Sequence, residues 1–281
     1  MADLAQTAVN LASFGGSHPA ALLGFLLLSA SLAVALIVSV FHAAKARARR
    51  RPAAEVGRFA YLAVHVGLGL AGLVGAAVFL SIAMEIGAPS TVTRIDLSLA
   101  RSLHRAASPL TTDALRAVTF LGEAWSQVTI GVLVAVGLLR AQRKLWTLGW
   151  VVALAGGGIL NEILKLLYAR PRPVFADPIL TASGFSFPSG HSMGTFILGG
   201  MAAYLGVLHT QGRARHVGIV ALALGWAVTM GFSRIYLGVH YLTDVLGGFA
   251  AGACWLSVCV SGMELARRRP RDPSAPDPHR P

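Results

Sequence analysis

The chain has 281 residues, 55% of them hydrophobic and 13% charged, with a formal net charge of +12. A soluble domain carries roughly 25% charged residues, and a disordered chain needs low hydrophobicity and high charge; both classes are excluded here, and apolar runs too long for strands or core helices argue against a soluble α/β enzyme. Cys254 and Cys259 both lie inside one apolar run, which excludes a disulfide framework and a cysteine-based zinc site.

About 20 apolar residues cross roughly 30 Å of hydrocarbon. Seven stretches reach or approach that length: 20–42, 59–84, 124–139, 145–168, 191–212, 217–233 and 239–263. Backbone in lipid must satisfy its own hydrogen bonds, and runs this continuous read as helices. The fold class is therefore an all-α polytopic transmembrane bundle. Gly67, Gly72, Gly75, Gly248 and Gly252 suit close helix contact within it. Span 124–139 is short, a mismatch that tilt and bilayer thinning tolerate.

Within the 85–123 loop, Ile95, Leu99 and Leu103 share one helical face and Arg94, Arg101 and Arg105 another, the pattern of a helix in the headgroup layer. A second short helix starts at Ser108 as N-cap with Pro109 in its first turn.

Loop charge sets the direction. Sixteen of the 24 basic residues follow spans one, three, five and seven, which is one side of the membrane. The positive-inside rule makes that side cytoplasmic, with the C-terminus there and the N-terminus outside. Topology thus accounts for the basic excess, and no nucleic-acid partner is expected. The first span reads as a retained helix rather than a cleaved signal, and the Pro-rich basic tail as disordered.

Three clusters then fall at one outer boundary. Lys165 and Arg172-Pro173 lie at the end of span four, and Pro188-Ser189-Gly190-His191 opens span five. Ser233-Arg234 closes span six, with His240 and Asp244 opening span seven. Lys165, Arg172 and Arg234 demand an anion with several oxygens, and guanidinium forks fit phosphate. Ser189 as N-cap and Gly190 leave free N–H groups at a helix start, which favour phosphate. His240 and Asp244 at i,i+4 share a helical face, so the carboxylate can hold one ring nitrogen as N–H and leave the other as a lone pair. His191 can protonate a leaving oxygen. Such a phosphoryl-transfer site needs no metal or cofactor.

These motifs, Lys165-x6-Arg172-Pro173, Pro188-Ser189-Gly190-His191 and Ser233-Arg234-x5-His240-x3-Asp244, resemble the three-part signature of the type 2 phosphatidic acid phosphatase/haloperoxidase superfamily. The resemblance covers roughly residues 96–263. It implies that His240 is the nucleophile forming a phosphohistidine, oriented by Asp244, and that His191 is the general acid. It also implies that Lys165, Arg172, Ser189, Gly190 and Arg234 bind the phosphoryl oxygens. The family commonly has six spans, so 20–42 is the extra one. The expected organisation is an N-terminal segment with the extra helix and basic loop (1–58), a membrane phosphatase domain (59–264) and a basic cytoplasmic tail (265–281).

The function expected is hydrolysis of a lipid phosphate or diphosphate, of the undecaprenyl diphosphate or phosphatidic acid type. The Ala- and Arg-rich composition points to a bacterial inner membrane, with the site on its outer, periplasmic face. The partners are this phospholipid or isoprenoid (di)phosphate and the bilayer, with oligomeric state left open. A lipid phosphotransferase with the same site and a non-catalytic transporter or scramblase are the alternatives; a haloperoxidase is disfavoured because those relatives are typically soluble. Arg170, Glu162 and Asn161 read as structural, with Glu162 pairing Lys165. His65 and His209 read as packing or interfacial, His104 as not touching a headgroup, and Phe185 and Phe187 as lining either the lipid entry or the core.

Overall fold

The computed structural model describes residues 2–48, 53–87 and 90–267. Among them ten α-helices and no strand occur: α1 (Ala2–Ser17), α2 (Pro19–Ala48), α3 (Ala53–Glu85), α4 (Thr91–Arg105), α5 (Pro109–Phe120), α6 (Ala124–Arg140), α7 (Lys144–Tyr168), α8 (Gly190–His209), α9 (Arg213–Tyr236) and α10 (Leu242–Arg267). The expected short helices are present with the caps their sequence carries. Ser90 Oγ accepts from Thr93 N at 3.2 Å, and Ser108 Oγ from Thr111 N at 3.4 Å. The N-terminal segment contains α1, whose apolar positions are too few and scattered to mark it as a span.

Six helices are long and apolar enough to cross a membrane on their own: α2, α3, α7, α8, α9 and α10. α6 has 17 residues, about 25 Å at 1.5 Å per residue, and qualifies only together with α5, from which it bends by 45°. The expected straight span 124–139 therefore does not stand by itself: α5 and α6 form a bent pair with the geometry of a broken span or a re-entrant loop. Arg49, Arg50, Arg51 and the tail from residue 268 lie outside the described residues. α10 runs on to Arg267, so the start of the expected 265–281 tail is helical.

α10 is the centre of the bundle, packed against α3, α8 and α7, while α9 lies between α8 and α2 and α1 rests on α4. Its neighbours approach closely because its facing positions are small. A Cβ on Gly248 would stand 2.8 Å from Ser189 O, and one on Gly75 2.8 Å from Ala250 O. Gly72 and Gly252 also face neighbouring helices, but a Cβ on Gly67 would meet no atom of another helix within 4 Å among the described residues. The buried core around these contacts includes Trp150, Phe187, Met193, Ile197 and Met201. Outward positions such as Leu133, Leu166 and Leu222 stay exposed, as they must where lipid replaces water.

Two buried side chains find partners inside the bundle: Trp150 Nε1 donates to Gly131 O at 2.9 Å and Tyr204 Oη to Glu264 Oε1 at 2.7 Å. Gly248→Val is expected to force α8 and α10 apart. The obstacle is backbone rather than a flexible tip, so overpacking should cost about 3 kcal/mol. The checking measurement is thermal unfolding in detergent, with Tm lowered by roughly 6–12 °C.

Candidate active site

The three motifs meet where α7 and α9 end and α8 and α10 begin. α7 stops at Ala169, whose φ of +42° is left-handed and turns the chain out of the helix just before Pro171. Beyond it Arg170 and Arg172 take different directions. Arg172 Nη1 donates to Val239 O at 2.9 Å and lies 3.1 Å from His240 Nε2. Its Nε and Nη2 hold Ser183 O and Gly184 O at 3.0–3.2 Å. These bonds hold the guanidinium in one orientation.

Lys165 Nζ pairs with Glu162 Oε1 at 2.8 Å, as expected, and lies against the start of α8. A Cβ on Gly190 would meet Asn161 Oδ1 at 2.9 Å and Lys165 Nζ at 3.5 Å, so only glycine leaves this approach open. Asn161 braces the same turn, its Nδ2 donating to Pro188 O at 3.4 Å. Ser189 is the N-cap of α8, accepting from Ser192 N, and its own N–H donates to Asp244 O at 2.9 Å. That bond joins the second motif to the third.

α9 carries Arg234 in its last turn, with Nη1 donating to Thr119 Oγ1 of α5 at 2.6 Å. Arg234 is buried, and its Nε has no protein acceptor among the described residues. The chain then turns at Gly238, where φ is +77° and the ring of Phe175 covers the space a Cβ would need. His240 N donates to Arg234 O at 3.3 Å, which pins the turn.

His240 therefore sits in this turn, two residues before α10 starts, and the expected shared helical face with Asp244 does not exist. The carboxylate reaches it as a cap instead: Asp244 Oδ2 accepts from Tyr241 N at 2.8 Å and stands 3.4 Å from His240 Nδ1. The latter is a long contact without hydrogen-bond alignment. A guanidinium only donates, so Arg172 assigns His240 Nε2 as acceptor and Nδ1 as the N–H. Burial pushes His240 down to about 4, against the pull of Asp244 and with Arg172 and Arg234 adding to the push. The ring is neutral at pH 7, with its lone pair among cations. Burial also holds the Arg172 guanidinium below its ordinary value.

His191 Nε2 lies 3.3 Å from Glu123 Oε1 and within electrostatic reach of Arg234, His240, Lys165 and Arg172. All eight motif residues thus converge on one end of the bundle. Three partners escaped the sequence reading: Glu123 beside His191, Thr119 beside Arg234, and Arg170 behind Asp244. Glu123 and Thr119 lie in the α5–α6 region, and no spacing rule links them to residues over 60 positions away. His104 pairs with Asp177 at 2.9 Å and stacks on Phe175. Phe187 is fully buried in the core, whereas Phe185 is exposed.

Known proteins resemble this chain in sequence and in fold. Residues 144–268 match the PAP2 superfamily. Phosphatidylglycerophosphatase B of Bacillus subtilis (strain 168) is 36% identical over 183 residues, 64% of this chain and 88% of that protein. Decaprenylphosphoryl-5-phosphoribose phosphatase of Mycobacterium tuberculosis (strain ATCC 25618 / H37Rv) is 34% identical over 149 residues, 50% of this chain and 75% of that one. A crystal structure of a transmembrane PAP2 type phosphatidylglycerolphosphate phosphatase from Bacillus subtilis superposes with a TM-score of 0.62 at 31% identity, over 70% of this chain and 99% of that one. A relative matched across 88% of its length, together with a shared all-helical membrane fold, makes this chain a member of the PAP2 superfamily.

Proposed function

We propose that the protein removes phosphate from a lipid phosphate or lipid diphosphate through a phosphohistidine on His240. The observation that supports this most is the pairing of Arg172 Nη1 with His240 Nε2 at 3.1 Å, which makes Nε2 the unprotonated ring nitrogen and places it in a cationic pocket, where an arriving phosphoryl oxygen takes over the guanidinium N–H and frees the lone pair. Arg172, Arg234, Lys165 and the free amides at the start of α8 bind the phosphoryl oxygens. His240 Nε2 attacks phosphorus and the P–O bond to the lipid breaks. The departing oxygen takes the proton that His191 Nε2 carries beside Glu123. The phosphorylated ring is then cationic, and Asp244 balances it at Nδ1. In the second half His191 removes a proton from water, water attacks phosphorus, and the N–P bond breaks to free phosphate and His240.

Relatives named as phosphatases of phosphatidylglycerol phosphate, decaprenylphosphoryl-5-phosphoribose, undecaprenyl diphosphate and lipid A support a lipid phosphate as substrate. The matched length favours a phosphatidylglycerol phosphate type of headgroup. Arg140, Lys144, Arg213 and Arg267 mark the ends of helices opposite the site, so the positive-inside rule supports chemistry at the outer, periplasmic face of a bacterial inner membrane with a cytoplasmic C-terminus. The test is incubation of purified protein with lipid carrying ³²P in its terminal phosphate, with no acceptor lipid. Free phosphate, together with an acid-labile labelled protein on rapid quenching, is expected. Lipid without any phosphate release would overturn the reading, and release only when a second lipid is supplied would make the protein a transferase.

A further inference from the structure

Arg170 lies outside the phosphate-binding set, yet it is among the most thoroughly bonded side chains in the molecule. It is buried, and its Nη1 donates to Asp244 Oδ1 at 2.6 Å and to Thr243 Oγ1 at 2.8 Å. Its Nη2 donates to Asp96 Oδ2 of α4 at 2.9 Å, and its guanidinium covers the Tyr241 ring at 4.3 Å. Asp96, fully buried, accepts from Thr243 N at 3.0 Å and from Thr243 Oγ1. Each Asp96 partner is a donor, which is the bonding pattern of an anion. Asp244 is likewise surrounded: Arg170 on Oδ1, Tyr241 N on Oδ2, and His240 beyond.

This arrangement poses a charge problem that its geometry also solves. A guanidinium bonded to Asp244 alone would neutralise the carboxylate and leave a phosphorylated His240 without a counter-charge. Asp96 supplies a second buried negative charge on the far side of Arg170. We propose that Arg170 is a positioning residue that fixes the Asp244 carboxylate against His240, and that Asp96 cancels the charge of Arg170 so that Asp244 keeps its own for the imidazole. The inference rests on the reading of His240 as the nucleophile. Facing His240 are Asp244 of α10, Arg172 of the loop, Arg234 of α9 and His191 of α8, with Arg170 and Asp96 one layer behind.

The two halves of the pair act on His240 with opposite sign, which a merely structural role would not produce. Removing Arg170 leaves Asp244 and Asp96 unopposed, and the ring gains protons more easily. Removing Asp96 leaves Arg170 unopposed, and the ring loses them more easily. The experiment is ¹³C-histidine NMR of the full-length protein in detergent, with the His240 signal identified by its loss in His240→Ala. The wild-type ring is expected to titrate near pH 4. Arg170→Gln should raise that midpoint by about one pH unit, and Asp96→Asn should leave the ring unprotonated through pH 4. Arg170→Gln should also lower kcat by 10- to 100-fold, the range found for outer partners of ligating groups, with KM within about threefold because the phosphate-binding groups are untouched. Arg170→Lys, which keeps the charge, should recover part of kcat and give an intermediate midpoint, and it replaces Arg170→Gln in the comparison if that variant does not fold. Midpoints unchanged in the variants, or moved in the same direction by both, overturn the proposal. Opposite shifts in a protein that releases phosphate from no lipid would keep the network and discard the hydrolase reading.

Discussion

His240→Ala is expected to lower kcat by about 10⁴-fold or more while KM changes little, since on the proposed covalent mechanism it removes the nucleophile and with it nearly the whole of the chemistry. The binding groups remain: Arg172 is held by Val239 O, Ser183 O and Gly184 O, and none of these carbonyls belongs to the histidine. The variant should therefore still bind inorganic phosphate or substrate, and should give no labelled protein on quenching. The ring is almost wholly buried but makes no aligned hydrogen bond through Nδ1, so folding should survive, as a Tm within a few degrees of wild type would show. Retention of even a tenth of kcat would remove His240 from the chemistry. Lipid movement that survives the substitution without phosphate release would favour a transporter.

Arg172→Lys preserves the charge and is expected to cost 10²- to 10³-fold in kcat/KM, the scale of losing one preorganised donor at a developing oxyanion. Three backbone carbonyls and His240 Nε2 converge on the flat fork of this guanidinium. A single ammonium cannot reach the Ser183 side and the His240 side at once. The loss should appear in both kcat and KM, because on the proposed reading the fork binds the anion and also holds the His240 ring with Nε2 unprotonated. Steady-state kinetics on a lipid phosphate in mixed micelles measures it. A lysine variant within about fivefold of wild type would mean that point charge alone suffices at this position.

The degree to which the fold could be read in advance follows from the range of the forces involved. The membrane helices and the caps at Ser90, Ser108 and Ser189 depend on neighbours within a few residues, and they lie where local patterning puts them. The i,i+4 argument for His240 and Asp244 assumed that helix began at the histidine. In fact Gly238 and the bonds to Arg234 O hold the histidine in a turn, and Asp244 reaches back as the cap of α10. The pairing survives through different geometry. α1 escaped notice because a helix that packs on α4 needs neither a long apolar run nor a strong stripe. Gly67 looked like its neighbours in sequence, yet it faces open space while Gly75 lies against α10.

From residues alone came the class of chemistry: cations, an imidazole pair and a carboxylate, at helix ends on one side of a lipid-solvated bundle. Hydrophobicity and charge dictate this by themselves, because each span's length and each loop's basic residues act independently of the rest of the chain. The third dimension decided which groups stand behind the first ring of contacts. Asp96 lies 74 residues from Arg170 in the chain, and Arg170 another 74 from Asp244, so their shared network arises only when α4, the turn after α7 and α10 pack together. A buried charge is tolerated only where folding delivers its partner, and no local pattern records that delivery.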